Sequence, residues 1–203
     1  MSPHIIGAVA FACVVGTAIG HAPTAVAQAA YPLEACEAGG FSTEEDFVMQ
    51  RGEPFDGNPY ISDGDLLSLT GKVCARNADL LQVYDVKVDL GLDAVDIIDV
   101  GNRVVAFSTE LDSPFGTFGA GDILFTTGGV VPNAALMLPF GVRHNVGLDE
   151  VKFMGDPDRI HRFVETVRGI PSEKLIDGGL QQLLKELNID IWFTIEGTAE
   201  GRE

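Results

Sequence analysis

The chain repeats itself, and that restricts its fold more than any single motif does. Gly64-Asp65-Leu66-Leu67 returns as Gly121-Asp122-Ile123-Leu124, an offset of 121 − 64 = 57. Thr70-Gly71-Lys72-Val73 returns as Thr127-Gly128-Gly129-Val130 at the same offset. Asn77-Ala78-Asp79-Leu80-Leu81 then matches Asn133-Ala134-Ala135-Leu136-Met137, and Leu90-Gly91-Leu92-Asp93-Ala94-Val95 matches Val146-Gly147-Leu148-Asp149-Glu150-Val151, both at 133 − 77 = 56. Phe41-Ser42-Thr43-Glu44 precedes the first set, and Phe107-Ser108-Thr109-Glu110 precedes the second. Phe193-Thr194-Ile195-Glu196 opens a third copy near the end. A short unit of this kind cannot bury its apolar face alone, so successive units must stack.

The local signals within each unit are those of strands. Residues 103–108 (RVVAFS), 122–126 (DILFT) and 189–195 (IDIWFTI) are β-branched or aromatic runs bounded by turn formers. Residues 85–89 (DVKVD) alternate polar and apolar, which predicts a half-buried strand. Thr70-Gly71-Lys72 and Thr127-Gly128-Gly129 read as turns after the Gly-Asp strand. Unit one carries an extra Pro/Gly/Asn-rich loop over 51–62.

A helical insertion interrupts the third copy. Ile160, Phe163, Val164 and Val167 recur at helical spacing, with Asp156 as N-cap, Pro157 at the first helical position and Gly169 as stop. A second helix runs through Leu180, Leu183, Leu184 and Leu187, starting near Ser172 or Asp177. The expected fold is therefore mainly β, α+β at most, with tandem units of about 56 residues in one sandwich- or propeller-like domain. Unit one spans about 41–99, unit two about 103–155, the two-helix insertion about 156–188 and the final strand about 189–197.

Residues 1–29 contain no Asp, Glu, Lys or Arg, and 5–20 form an apolar run broken by His21 and Pro23. Small-x-small sites follow at Ala25-Val26-Ala27 and Ala27-Gln28-Ala29. This reads as a cleaved secretory signal peptide, with an uncleaved anchor as the alternative. The remaining single domain, 30–203, then sits in the periplasm, on the cell surface or outside the cell. Cys13 belongs to the leader, leaving Cys36 and Cys74 as a pair that export favours as a disulfide.

The units resemble a group of uncharacterised exported bacterial repeat proteins built from FSTE, GDLLS, NADLL and GLDAV blocks, over about residues 40–197. Some members look like β-propeller blades. The resemblance implies stacked β units, and it implies no activity.

Thirteen basic residues face 30 acidic ones, a formal charge of −17. Such a surface repels nucleic acid and anionic membranes and attracts cations or basic partners. G-x-S-x-G, H-E-x-x-H and a phosphate loop are all absent from the sequence. What recurs is acid: Glu44 and Glu110, Asp65 and Asp122, Asp93 and Asp149, with Glu196 as a third copy of the first. Turn chemistry explains Gly-Asp before a strand, because Asp accepts bonds from nearby backbone N–H groups. Calcium is the candidate ligand, with Asp63, Asp65, Asp122, Glu110 and Glu196 as candidate metal-binding residues and Asp56 and Asn58 in the same acidic loop. The acids do not follow an EF-hand spacing. The expected role is a non-catalytic structural or binding module, calcium-stabilised, with a cation, a glycan or another envelope protein as partner. The alternative is a carboxylate-dependent, glycosidase-like hydrolase. No catalytic residue is assigned.

Overall fold

The computed structural model describes residues 31–142 and 144–195; the leader over 1–29 and Glu196 lie outside them. The strands, in chain order, are β1 (Gly40–Phe41), β2 (Phe47–Val48), β3 (Tyr60–Ile61), β4 (Leu66–Ser68), β5 (Val73–Ala75), β6 (Val95–Asp99), β7 (Val104–Phe107), β8 (Ile123–Phe125), β9 (Val130–Val131), β10 (Glu150–Met154) and β11 (Asp190–Thr194). All pair antiparallel, in the orders β1-β4-β5, β2-β3, β6-β7-β8-β9 and β10-β11. No barrel or propeller closes among the described residues.

The repeat is visible as register. Phe41 pairs with Leu67 and Phe107 with Leu124, while Val95 pairs with Phe107 and Val151 with Phe193. Strands β1, β7 and β11 are therefore copies of one strand, as are β6 and β10, β4 and β8, and β5 and β9. The four-stranded sheet is the complete copy. Among the described residues the first copy shows no strand equivalent to β6, and the third shows none equivalent to β8 or β9. The structural repeat is thus shifted by one strand from the sequence units: β6, at the end of unit one, bonds into the sheet of unit two.

The complete sheet is buried on both faces. Val104, Ala106, Ile123 and Phe125 point into a core shared with β10, β11 and the helical insertion. Val105, Phe107 and Leu124 point into a core shared with β4, β5 and Tyr31, Leu33, Leu80 and Leu81. That explains the continuous apolar run of β7, whose four residues are all buried. On the helical side Phe125, Phe153 and Phe163 pack with ring centroids 5.6 to 6.3 Å apart.

Helix α1 (Asn77–Leu80) follows β5, and α2 (Asn133–Met137) follows β9. Helix α3 (Pro157–Val167) starts as its sequence requires, Asp156 accepting a bond from the Arg159 N–H at 3.2 Å. His161 Nε2 on α3 lies 2.8 Å from Asp99 Oδ2, tying the helix to the end of β6. Helix α4 (Ser172–Lys174) is broken from α5 (Leu180–Leu187) at Gly178, whose φ of 96° leaves the helical region. Of the two candidate starts, Ser172 opens α4, whereas Asp177 is non-helical and α5 begins at Leu180. Among the described residues no helix is long and apolar enough to cross a membrane.

The expected strand over 85–89 does not form. Asp85 takes a left-handed conformation at φ 56°, and the Asp89 carboxylate turns back to the Gly91 N–H at 3.1 Å. Val86 is buried from a loop while Val88 is 55 % exposed, and among the described residues no neighbouring strand offers a ladder. The turns after β4 and β8 form as expected, with Gly71 N–H bonded to Ser68 O at 3.0 Å and Gly128 N–H to Phe125 O at 2.7 Å.

Candidate functional site

The Gly-Asp and Asn blocks form one buried device in each copy. Asp65 accepts bonds from the Ser62 and Asn77 N–H groups, both at 3.2 Å, and Asp122 from Gly119 and Asn133, both at 2.8 Å. Asn77 donates to Gly64 O at 3.2 Å and Gly91 O at 3.1 Å, and accepts from the Leu90 N–H at 3.1 Å. Asn133 donates to Gly121 O at 3.2 Å and accepts from the Val146 N–H at 3.2 Å. A Cβ at Gly64 would stand 2.1 Å from the Asp89 carboxylate and 2.4 Å from the Asn77 amide, so no side chain fits there. The aspartate caps the helix that opens at the asparagine, and the asparagine staples two loops.

This bears on the expected roles. Asn77 and Asn133 both open helices with buried side chains, and neither has positive φ. Asp65 is also 2.6 Å from the Arg76 guanidinium, which reaches on to Asp56 at 2.8 Å and to the carbonyls of Asn58 and Tyr60. Arg76 therefore clamps the extra loop of unit one, and its counterpart in unit two, where no such loop exists, is Pro132. Burial pushes the Asp122 carboxyl above its ordinary range, against the pull of the Asn133 and Gly119 N–H groups. The two Gly-Asp aspartates stand in separate copies of the device. Glu110 lies against Gly91, where an added Cβ would come within 2.7 Å of its carboxyl carbon.

Asp63 sits elsewhere, beside Asp89 and Asp46, and burial followed by those two charges raises its carboxyl. The Asp63 N–H donates to Asp46 Oδ1 at 3.1 Å. Among the described residues no group of three or more His, Cys, Asp or Glu side chains is arranged to hold a metal ion.

The other repeated acids do converge. A groove of about 630 Å³ is walled by Gly40, Phe41, Ser42 and Glu44 beside β1, by Asp93 and Val95 at the start of β6, and by residues of β10 and β11. Glu44, Asp93, Asp149 and Glu150 bring four carboxylates to it from three copies of the repeat. Among the described residues the one basic side chain in its wall is Lys152, whose Nζ lies 2.6 Å from Asp96, a carboxylate only 4 % exposed. Asp96 also accepts from the Phe153 N–H at 2.8 Å, so that pair is satisfied locally. The described wall of the groove therefore carries more acid than base.

Two aromatic side chains complete it. Trp192 is 64 % exposed and Phe41 is 41 % exposed, whereas Phe107, the counterpart of Phe41, is fully buried. Sequence reasoning named Glu44, Asp93 and Asp149 as recurring, but it did not single out Glu150, Phe41 or Trp192. One signal existed: in an otherwise matching block, Trp192 stands where the complete copy has the small, buried Ala106. Compared with protein-family models, with curated proteins and with solved structures, the chain matches none.

Proposed function

We propose that this protein is an exported, non-catalytic binding module of the cell envelope or extracellular space, and that the groove takes a cationic, partly apolar segment of another protein. The observation that carries this is the convergence of Glu44, Asp93, Asp149 and Glu150 on one groove beside exposed Phe41 and Trp192. Carboxylates supply long-range attraction and orientation, and aromatic faces supply contact area and a seat for cations. The Cys36–Cys74 disulfide suits the oxidising compartment that export implies.

Trp192 is the only tryptophan in the chain, so its fluorescence reports on the groove directly. A ten-residue peptide alternating lysine and valine is expected to bind and shift the emission, and a glutamate–valine peptide is not. Glu44→Gln with Glu150→Gln weakens binding by roughly five- to thirtyfold, about 1 to 2 kcal/mol for two partly exposed charges. Raising the salt weakens it further. Equal response to both peptides overturns the proposal. Turnover of a glycan panel that Glu44→Gln abolishes would put hydrolysis in its place.

Calcium stabilisation is the second reading; it rests on the acidic charge of Asp89 and Asp46 near Asp63, although among the described residues no three such side chains are arranged to hold an ion. A cation there relieves the mutual repulsion that raises the Asp63 carboxyl. Under this reading millimolar calcium raises the melting midpoint, by about 2.7 kcal/mol of stability at a hundredfold excess over Kd. Asp63→Asn removes the rise. An unchanged midpoint with calcium and with chelator returns these acids to loop chemistry.

A further inference from the structure

In the complete copy, β7 is bonded on one edge to β8 and on the other to β6. The β6 edge is bonded through the residue that follows β7: Ser108 N–H donates to Ala94 O at 2.9 Å, and Asp93 N–H donates to Ser108 O at 3.3 Å. The third copy repeats this, Asp149 N–H donating to Thr194 O at 3.2 Å. In the first copy the equivalent strand is β1 and the equivalent residue is Ser42. Here β4 covers one edge of β1, and among the described residues no strand covers the other. What lies along that edge instead is the acidic groove, with Gly40, Phe41 and Ser42 in its wall. The Ser42 hydroxyl, lacking a strand of its own copy, donates across to Leu92 O at 2.5 Å.

We infer that the groove is a strand-addition site: an extended, basic segment of a partner protein pairs with the open edge of β1. This inference rests on the binding reading above and specifies its geometry. Backbone groups alternate in direction along a strand, so the amides of Gly40 and Ser42 face the groove while that of Phe41 faces β4. The incoming segment occupies the place that β6 holds beside β7. Its register is set by those two residues, and its alternate side chains meet two different surfaces. Lysine or arginine on one side faces Glu44, Asp149 and Glu150, and apolar side chains on the other meet Phe41 and Trp192. Strand β6 of a second copy is disfavoured in trans, since it carries Asp96 and Asp99 and would bring more negative charge. A short, two-residue strand bordered by acids also disfavours self-association at this edge.

Charge and strand pairing are separated by changing the backbone of the probe. The lysine–valine peptide is compared with the same peptide N-methylated at alternate residues, which keeps every charge and removes the donors of one edge. The unmodified peptide is expected to bind at least about tenfold tighter, as two backbone hydrogen bonds imply. It is also expected to slow hydrogen exchange at the Gly40 and Ser42 amides. Equal affinity of the two peptides, without protection of Gly40 and Ser42, overturns strand addition and leaves a purely electrostatic groove. Binding of neither peptide removes the groove reading and this inference together.

Discussion

Replacing Asn77 with alanine is expected to destabilise the fold by about 3 to 5 kcal/mol, a large share of the stability of a domain this size. Asn77 is 2 % exposed, and its side chain satisfies the Gly64 and Gly91 carbonyls and the Leu90 N–H. Deleting it leaves three backbone groups buried without partners, each costing on the order of 1 to 3 kcal/mol. Helix α1 itself is only four residues and contributes little on its own. The cost therefore falls on the two loops that the side chain staples. Asn133→Ala, which removes two such bonds, should cost less, about 2 to 4 kcal/mol. Urea unfolding of both variants tests the ranking. A loss at Asn77 below about 1 kcal/mol, within the range of an ordinary surface change, would show that water replaces the amide and that the repeated block has another purpose.

The staple also explains which parts of the molecule were legible in the sequence. Strands β7, β8 and β11, helix α3 and the Gly-rich turns follow from apolar period and turn residues, because local preference and burial agree there. The 85–89 segment alternates just as well in sequence, yet a strand also needs a neighbour to bond to, and without one Val86 is buried while Val88 is exposed. The role of Asp65 could be read only as local turn chemistry and Asn77 only as part of a repeated block, since the partners that fix them lie 12 to 14 residues away. The repeat showed that the acids are equivalent in pairs. It could not show that Asp93 and Asp149 meet Glu44 in one groove while Asp65 and Asp122 are spent on backbone N–H groups, because that sorting depends on how the copies stack. Trp192 was invisible as a site residue for the same reason: only the stacked fold distinguishes an exposed groove wall from a core position.

The second large effect is expected from the disulfide, and it should reach the groove. Cys36 and Cys74 are joined with their Cα atoms 6.0 Å apart and are both fully buried, closing 38 residues of sequence. By the chain-entropy model, closing such a loop stabilises the fold by about 4 kcal/mol. At about 2 to 4 °C per kcal/mol for a domain of this length, reduction or Cys36→Ala with Cys74→Ala should lower the melting midpoint by roughly 8 to 16 °C. The loss should be uneven. The closed loop contains β1 and Ser42, and β1 is hydrogen-bonded to a neighbouring strand only through β4. A Cβ placed on Gly40 would come within 3.2 Å of Cys36 Sγ, so the bridge packs directly against the strand it steadies. The core that holds Phe125, Phe153 and Phe163 on the far face of the complete sheet has no part in that contact. Reduced protein, still folded at low temperature, is therefore expected to lose peptide binding at the groove before it loses its aromatic core. Parallel titrations and near-ultraviolet circular dichroism with and without reductant read the two events. A midpoint shift below about 3 °C would mean that stacking alone orders the first copy. Binding that persists unchanged in the reduced protein would mean that β1 holds its edge without the bridge.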